Sequence, residues 1–196
     1  MGRIFYIMGK SSSGKDTIYK ELSRSTRLGL KTNIPYTTRP IREGEKNGVE
    51  YFFVDERELE RIREAGNLIE EREYHTCHGI WKYFTVNDDQ IDLGRNDYLM
   101  IGTPESFLAV QRFYGEEVVI PILIRLDDGL RLQRALDRER QQKQPRYEEM
   151  CRRFLADSRD FAPEIIEKAG IKRSFNNDDL SRCIDEIKDF IRSFRE

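Results

Sequence analysis

The sequence is poor in the features that mark several protein classes. Its three cysteines, Cys77, Cys151 and Cys183, are odd in number, far apart and form no CxxC pair, so reduced thiols are expected rather than a disulfide framework. Long apolar runs are missing too: Val118 to Ile124 has seven residues, against roughly 20 for a membrane-spanning helix. Met1-Gly2-Arg3 leads into no signal-peptide core or small-residue cleavage site, which points to a cytoplasmic protein. Charge of one sign is also lacking. With 34 Lys plus Arg against 36 Asp plus Glu, the chain has no basic excess for a nucleic-acid backbone, and neither nucleic acid nor a membrane is an expected partner. No repeat, low-complexity stretch or Pro/Gly/Ser linker divides the 196 residues, a length that suits one domain with a sizeable core. Nothing in the composition indicates an oligomeric state.

What is present is unevenly placed. Arg outnumbers Lys 24 to 10, and nine of those Arg lie between Arg125 and Arg159, whereas Asp55 to Glu73 carries eight carboxylates against four Arg. Arg suits bidentate contact with phosphate or carboxylate oxygens, although a solvated helix laced with ion pairs reads the same in composition.

Strands alternate with amphipathic helices, the pattern of a mostly parallel α/β sheet covered on both faces. Arg3 to Met8, Tyr98 to Ile101 and Val118 to Leu126 read as buried strands, and Thr17 to Leu28 as a helix. Asp55 caps a helix with Glu58 three residues on and Gly66 past its end. Thr103, Pro104 and Gly115 mark another helix. The 3-and-4 spacing from Leu180 to Phe194 marks the last helix. Two polar, glycine-interrupted segments, Thr32 to Phe53 and Asn67 to Phe84, predict a small β-rich insertion, and Gln141 to Pro145 the mobile tip of a lid.

Chemistry enters at Gly9-Lys10-Ser11-Ser12-Ser13-Gly14-Lys15-Asp16-Thr17, a G-x-x-x-x-G-K loop after a strand and opening a helix. Its glycines allow close backbone approach, its N–H groups cradle phosphates, and Lys15 reaches the β and γ oxygens of a nucleoside triphosphate. Asp16 stands where Ser or Thr normally offers a hydroxyl to Mg²⁺. Either Asp16 binds the metal directly or through water, or it only favours the helix N-terminus while Thr17 supplies the hydroxyl.

A second segment, Thr37-Thr38-Arg39-Pro40-Ile41-Arg42-Glu43-Gly44-Glu45-Lys46-Asn47-Gly48-Val49-Glu50-Tyr51-Phe52-Phe53-Val54, following that loop, resembles guanylate kinase, a P-loop nucleoside monophosphate kinase. Two guanidinium groups and a phenol can neutralise and orient a phosphate dianion. The resemblance implies that Arg39, Arg42 and Tyr51 hold the phosphate of GMP, with Arg39 also counted as catalytic. It implies that Glu70, in Leu68-Ile69-Glu70, reads the guanine edge, the bland alternative being a surface carboxylate. It departs at Pro35, where the family often has Ser, and at Cys77-His78-Gly79, where the family has two aromatic residues before the Gly. It departs again at Ile101-Gly102-Thr103, where the family has an acidic pair; Thr103 either offers its hydroxyl to the base or caps its helix.

Arg131, Arg134 and Arg138 fall at i, i+3 and i+7 within roughly 60° of helical arc, and Arg146 and Arg153 lie seven apart on the next helix. The family's lid arginines match Arg134, Arg138 and Arg153 best, which implies catalytic groups for the transferring phosphoryl. Arg140 and Arg159 are left as ion-pair partners. Phe175-Asn176-Asn177-Asp178-Asp179 resembles the family's Val-Asn-Asp-Asp, so Asn177 either lies near the ATP base or caps the last helix. His75, Cys77 and His78 make only a weak structural zinc site.

The resemblance thus implies a P-loop three-layer α/β/α domain over 1–196. Residues 1–31, 87–128 and 160–196 would form the core, 32–86 an NMP-binding region, and 129–159 a lid with the helix after it. The implied activity is Mg²⁺-assisted transfer of the γ-phosphoryl of ATP to GMP, in purine nucleotide metabolism. Two alternatives stand beside it. Gly-Lys-Asp-Thr also resembles ribosyl bisphosphate phosphokinases, so the acceptor could be another NMP or ribose 1,5-bisphosphate, and some guanylate-kinase-like domains only bind partners.

Overall fold

In the computed structural model, which describes residues 1–76 and 79–195, two sheets divide the molecule. The larger has five parallel strands in the order β2 (Lys31–Thr32), β7 (Tyr98–Gly102), β1 (Ile4–Gly9), β8 (Val119–Arg125) and β9 (Ser174–Asn176). Its central strand shows why it sits there. Every residue of β1 is buried, and alternate side chains serve opposite faces, as the period of two dictates. Phe5 and Ile7 join the core under α1 (Lys15–Ser23) and α7 (Leu180–Arg192), while Ile4, Tyr6 and Met8 join the core under α3 (Pro104–Tyr114) and α6 (Pro163–Lys168). Each such large apolar side chain contributes about 1.5–3 kcal/mol of burial. The result is the three-layer α/β/α arrangement. Among the described residues, no helix is long and apolar enough to cross a membrane.

The second sheet, of order β4-β3-β6-β5, is the β-rich insertion. Two two-residue strands, β3 (Tyr36–Thr37) and β4 (Phe52–Phe53), lie beside a long antiparallel hairpin of β5 (Leu68–Thr76) and β6 (Gly79–Val86). Helix α2 (Glu56–Glu64) packs Leu59 against Phe84 and Val86, and Asp55 caps it by accepting from Glu58 N at 2.8 Å. Helices α4 (Asp128–Arg140) and α5 (Tyr147–Asp160) pack against each other over the stretch expected to form the lid.

Some expected boundaries move. Helix α1 begins at Lys15 instead of Thr17, because the phosphate loop feeds it directly, with Gly14 as its left-handed N-cap. It stops at Ser23, well before Leu28, where a turn takes over and Leu28 N and Gly29 N both donate to Ser25 O. Asn177 does not cap α7: Asp179 does, accepting from Arg182 N at 2.8 Å. Gly115 ends α3 and Thr103 caps it in a box with Ser106, as the sequence pattern predicts. Helix α6 and strand β9 have no counterpart in the sequence reading.

Candidate active site

The loop between β1 and α1 is built by close approach. A Cβ on Gly9 would sit 2.7 Å from Ser13 Oγ and 3.0 Å from Ile124 O. Gly14 has φ +88, and a Cβ there would collide with Asn177 Nδ2. That same Nδ2 donates to Ser13 O at 2.7 Å, from a side chain only 2% exposed. Asn177 therefore braces the loop from the C-terminal end of β9, which a scan for caps could not show. Ser12 also takes a left-handed φ of 62. Ser12 Oγ, Ser13 Oγ and Asn177 Oδ1 are buried with no protein partner. Such orphaned oxygens cost free energy unless a ligand or water meets them, so the loop is shaped for an occupant.

The lid straps the same loop. Arg131 donates Nε–H to Ser11 O at 3.0 Å and Nη2–H to Asp157 Oδ2 at 3.0 Å, pairs with Asp128, and lies over the Phe154 ring at 4.7 Å. Asp157 Oδ2 in turn accepts from Ser11 N at 2.9 Å. Lys10 Nζ pairs with Asp128 at 3.2 Å. At 1% exposure, Arg131 is a strut, whereas Arg134 and Arg138 of the same helical arc are exposed. Arg134 stands apart from Arg138 as well: its Nη2 reaches toward Asn177 O at 3.5 Å, on the flank of Gly14. Arg140 pairs with Asp137 at 3.7 Å, as an ion-pair partner should.

At the acceptor end, Arg39 is 3% exposed and grips Glu45 bidentately, Nη2 to Oε1 at 2.8 Å and Nη1 to Oε2 at 3.0 Å. Its guanidinium lies 5.5 Å from the Tyr51 ring and 5.4 Å from that of Phe53. Arg42 N donates to Glu45 Oε2 at 2.8 Å. The Arg39 hydrogen bond holds the Glu45 carboxyl below the usual carboxylate range, whereas burial pushes the Tyr51 phenol up and keeps it protonated as a donor. Tyr51, Tyr83 and Tyr74 continue as an aromatic wall, with ring centroids 5.6 and 5.5 Å apart.

That wall leads to Glu70, which is buried at 6% exposure and is no surface carboxylate. A bulge between Leu68 and Glu70 sets its phase, so that Glu70, Arg72 and Tyr74 lie opposite Thr85, Tyr83 and Trp81 across the hairpin. Thr85 Oγ1 donates to Glu70 Oε1 at 2.8 Å, and Arg72 donates Nε–H to Oε2 at 3.0 Å. Thr103 Oγ1 is engaged by Ser106, both through Ser106 N at 3.3 Å and through its Oγ at 3.2 Å. Of its two expected roles, capping is the one its contacts display.

Between the two ends lies a cavity of about 580 Å³, whose lining includes Ser11, Ser12, Arg42, Trp81, Arg138 and Arg153. It thus joins the phosphate loop, the 37–54 segment with the β5–β6 hairpin, and helices α4 and α5. Trp81, beside which Arg42 lies at 6.0 Å, was not singled out from the sequence; its place opposite Tyr74 on the bulge-phased hairpin face is the signal that finds it.

Lys15 Nζ stands 3.1 Å from Asp16 Oδ2. Asp16 and Thr17 are both exposed on the first turn of α1, so their hard oxygens fit a Mg²⁺ that keeps several waters and bridges phosphates. Among the described residues, no group of three or more His, Cys, Asp or Glu is placed to hold a metal. His75 pairs with Glu73 at 2.9 Å, while Cys77 and His78 of the zinc reading lie outside the described residues.

Comparison with known proteins bears on this geometry. A family model described as guanylate kinase matches residues 1–81. A guanylate kinase of Symbiobacterium thermophilum is 32% identical over 97% of this chain and 84% of its own length. One from Malacoplasma penetrans is 36% identical over 64% of this chain, and the alignment spans 59% of that protein; for a relative from Rhodopirellula baltica the span is 44%. The crystal structure of guanylate kinase from Anaplasma phagocytophilum shares the fold, with a TM-score of 0.65 at 23% identity over 98% of this chain and 85% of that one. With a relative at 32% identity matched nearly end to end, the chain belongs to the guanylate kinase family.

Proposed function

We propose that this protein is an ATP-dependent kinase that phosphorylates GMP to GDP in the free nucleotide pool of the cytoplasm. The carrying observation is the 580 Å³ cavity, where Ser11 and Ser12, Arg42, and Arg138 with Arg153 come from three separate parts of the chain. Residues 32–86 act as the acceptor-binding region, 129–159 as the lid with its following helix, and the rest as the core. Gly9 to Thr17 cradle the triphosphate, with Lys15 on its β and γ oxygens and Asn177 and Arg134 at the donor flank. Arg39, Arg42 and Tyr51 hold the acceptor phosphate, and Glu70 lies at the base end. Mg²⁺, held by Asp16 and Thr17, would neutralise charge on the donor phosphates.

In the reaction an acceptor phosphate oxygen forms a bond to the γ phosphorus as the bond from that phosphorus to the bridging oxygen breaks, and ADP leaves with the electron pair. The attacking oxygen is already anionic, so no general base is required. Catalysis is positioning plus charge neutralisation by Lys15, Arg39, Arg134, Arg138 and Arg153 in a site from which the lid excludes water. ADP release measured over GMP, dGMP, AMP, CMP, UMP and ribose 1,5-bisphosphate tests the reading. GMP should lead that panel, and preference for an adenine, pyrimidine or bisphosphate acceptor would overturn it.

A further inference from the structure

The base end of the acceptor site carries a charge arrangement that a carboxylate reader alone would not need. Three protein donors converge on Glu70: Thr85 Oγ1 on Oε1 at 2.8 Å, Arg72 Nε on Oε2 at 3.0 Å, and Arg72 Nη2 on Oε1 at 3.3 Å. An ionised carboxylate offers about four lone-pair sites, and these donors claim both sites on Oε1 and one on Oε2. One site remains, on a single oxygen. A guanine presents two adjacent donors on one edge, the ring N1–H and the 2-amino group, and reading both takes two carboxylate oxygens side by side. The geometry leaves Glu70 able to take one of them.

Exposure points the same way. The Glu70 side chain is 2% exposed and that of Arg72 16%, so the member of the pair that a ligand meets is the guanidinium. Arg72 shares one face of the β5–β6 hairpin with Glu70 and Tyr74 and lies opposite Tyr83, on the aromatic wall that leads back to Tyr51 and Arg39. That register places it beside the residues that the proposed reading gives to the acceptor. A guanidinium edge suits an acceptor atom such as a carbonyl oxygen. It repels the 6-amino group of an adenine and gives no reward for a 2-amino group.

We propose that Arg72 is a specificity-determining residue. By closing a fork on Glu70 it directs recognition to the 6-oxo group and removes discrimination for the 2-amino group, so that 6-oxopurine monophosphates with and without that group, GMP and IMP, are both acceptors. The proposal rests on the guanylate-type reading of the acceptor site given above.

The test compares kcat/KM for GMP and IMP in the wild-type protein, in Arg72→Lys and in Arg72→Met. The wild-type ratio should lie within about tenfold, because the hydrogen bond that would widen it is not available. Arg72→Lys keeps a positive charge beside the buried carboxylate but loses the fork, which frees one oxygen. Its GMP-to-IMP ratio should rise by about tenfold or more, chiefly through the KM for the acceptor, and Arg72→Met should raise it further if it folds. Arg72→Met leaves Glu70 unpaired, so Arg72→Lys and the wild-type ratio carry the test should that variant fail to fold. A wild-type preference for GMP beyond about tenfold, or an unchanged ratio in folded Arg72→Lys, overturns the role of Arg72 and leaves the GMP kinase reading standing. Turnover of neither 6-oxopurine nucleotide, with another acceptor phosphorylated, removes that reading itself and this inference with it.

Discussion

The two ends of the site are made of different materials. The donor end is built from backbone: a loop between β1 and α1 whose shape follows from Gly9, the left-handed Ser12 and Gly14, and the Asn177 brace on Ser13 O. The end that the proposed reading gives to the acceptor is built from paired side chains, Arg39 with Glu45 and Arg72 with Glu70, on short strands and a bulged hairpin. A backbone cradle tolerates change in the side chains that face solvent around it, and its charge cannot titrate. A site made of ion pairs can be retuned by one substitution and responds to pH.

The largest effect should come from removing Lys15, which the proposed reading sets on the β and γ oxygens of the donor. Lys15→Ala should lower turnover by about 10³-fold or more, while GMP affinity by calorimetry stays near that of the wild type. Turnover close to wild type would mean that the cradle works without its lysine. At the acceptor end, Arg39→Lys replaces a planar fork with a point charge, and KM for GMP should rise by about 10- to 100-fold with little change in KM for ATP. Equal movement of both constants would erase the contrast between the ends.

The same pair gives the acceptor end its pH dependence. The Arg39 hydrogen bond keeps the Glu45 carboxyl below its ordinary range. A depressed folded-state pKa means that the contribution is present above the unfolded value and is lost as pH falls through the folded one. The stability gap between wild type and Glu45→Gln should therefore be widest near neutral pH and close as pH falls below about 4. A constant gap across an acid series of thermal melts would show that Glu45 acts by shape and not by charge.

How much of this was legible in the sequence follows the same division. The phosphate loop, the Asp55 and Thr103 caps and the apolar stripe of α7 were legible because each depends on residues within a turn or two of one another. The α4–α5 pair was less legible because its periodicity is polar. Its buried stripe on α4 is Arg131, Ala135 and Glu139, while Leu130 and Leu132 are exposed, since this helix packs on the phosphate loop and α5 and not on the apolar core. Helix α5 has no buried residue at all, and its Leu155 is 64% exposed. Arg39, Arg42 and Tyr51 stood in a recognisable order. Arg72 did not, because its meaning comes from the bulge that puts it in phase with Glu70, and a bulge has no local signature there. Asn177 carried a local signal for capping, and a contact 164 residues away decides its role.

The smallest effect should lie where the two ends join. The chain returns from the insertion to the core through Asn87 to Ile91, and side chains hold that crossing. Gln90 donates Nε2–H to Ile34 O at 3.1 Å and accepts from Ile34 N at 2.7 Å, and Asp88 Oδ2 accepts from Tyr36 OH at 2.7 Å and from Gln90 Nε2 at 2.8 Å. Between them Asp89 is exposed with φ 64, a left-handed conformation that costs a non-glycine residue about 1 kcal/mol. Asp89→Gly relieves that strain but gives the unfolded chain more freedom, so the two effects largely offset and the gain in urea unfolding should be at most about 1 kcal/mol. Asp89→Val, β-branched in the same conformation, should lose about 1–2 kcal/mol. Because Asp88 and Gln90 fix the crossing without residue 89, neither variant should move KM for GMP by more than about twofold, the change that about 0.4 kcal/mol produces. A larger change in KM with unchanged stability would put the left-handed residue itself in control of how the acceptor region meets the phosphate loop.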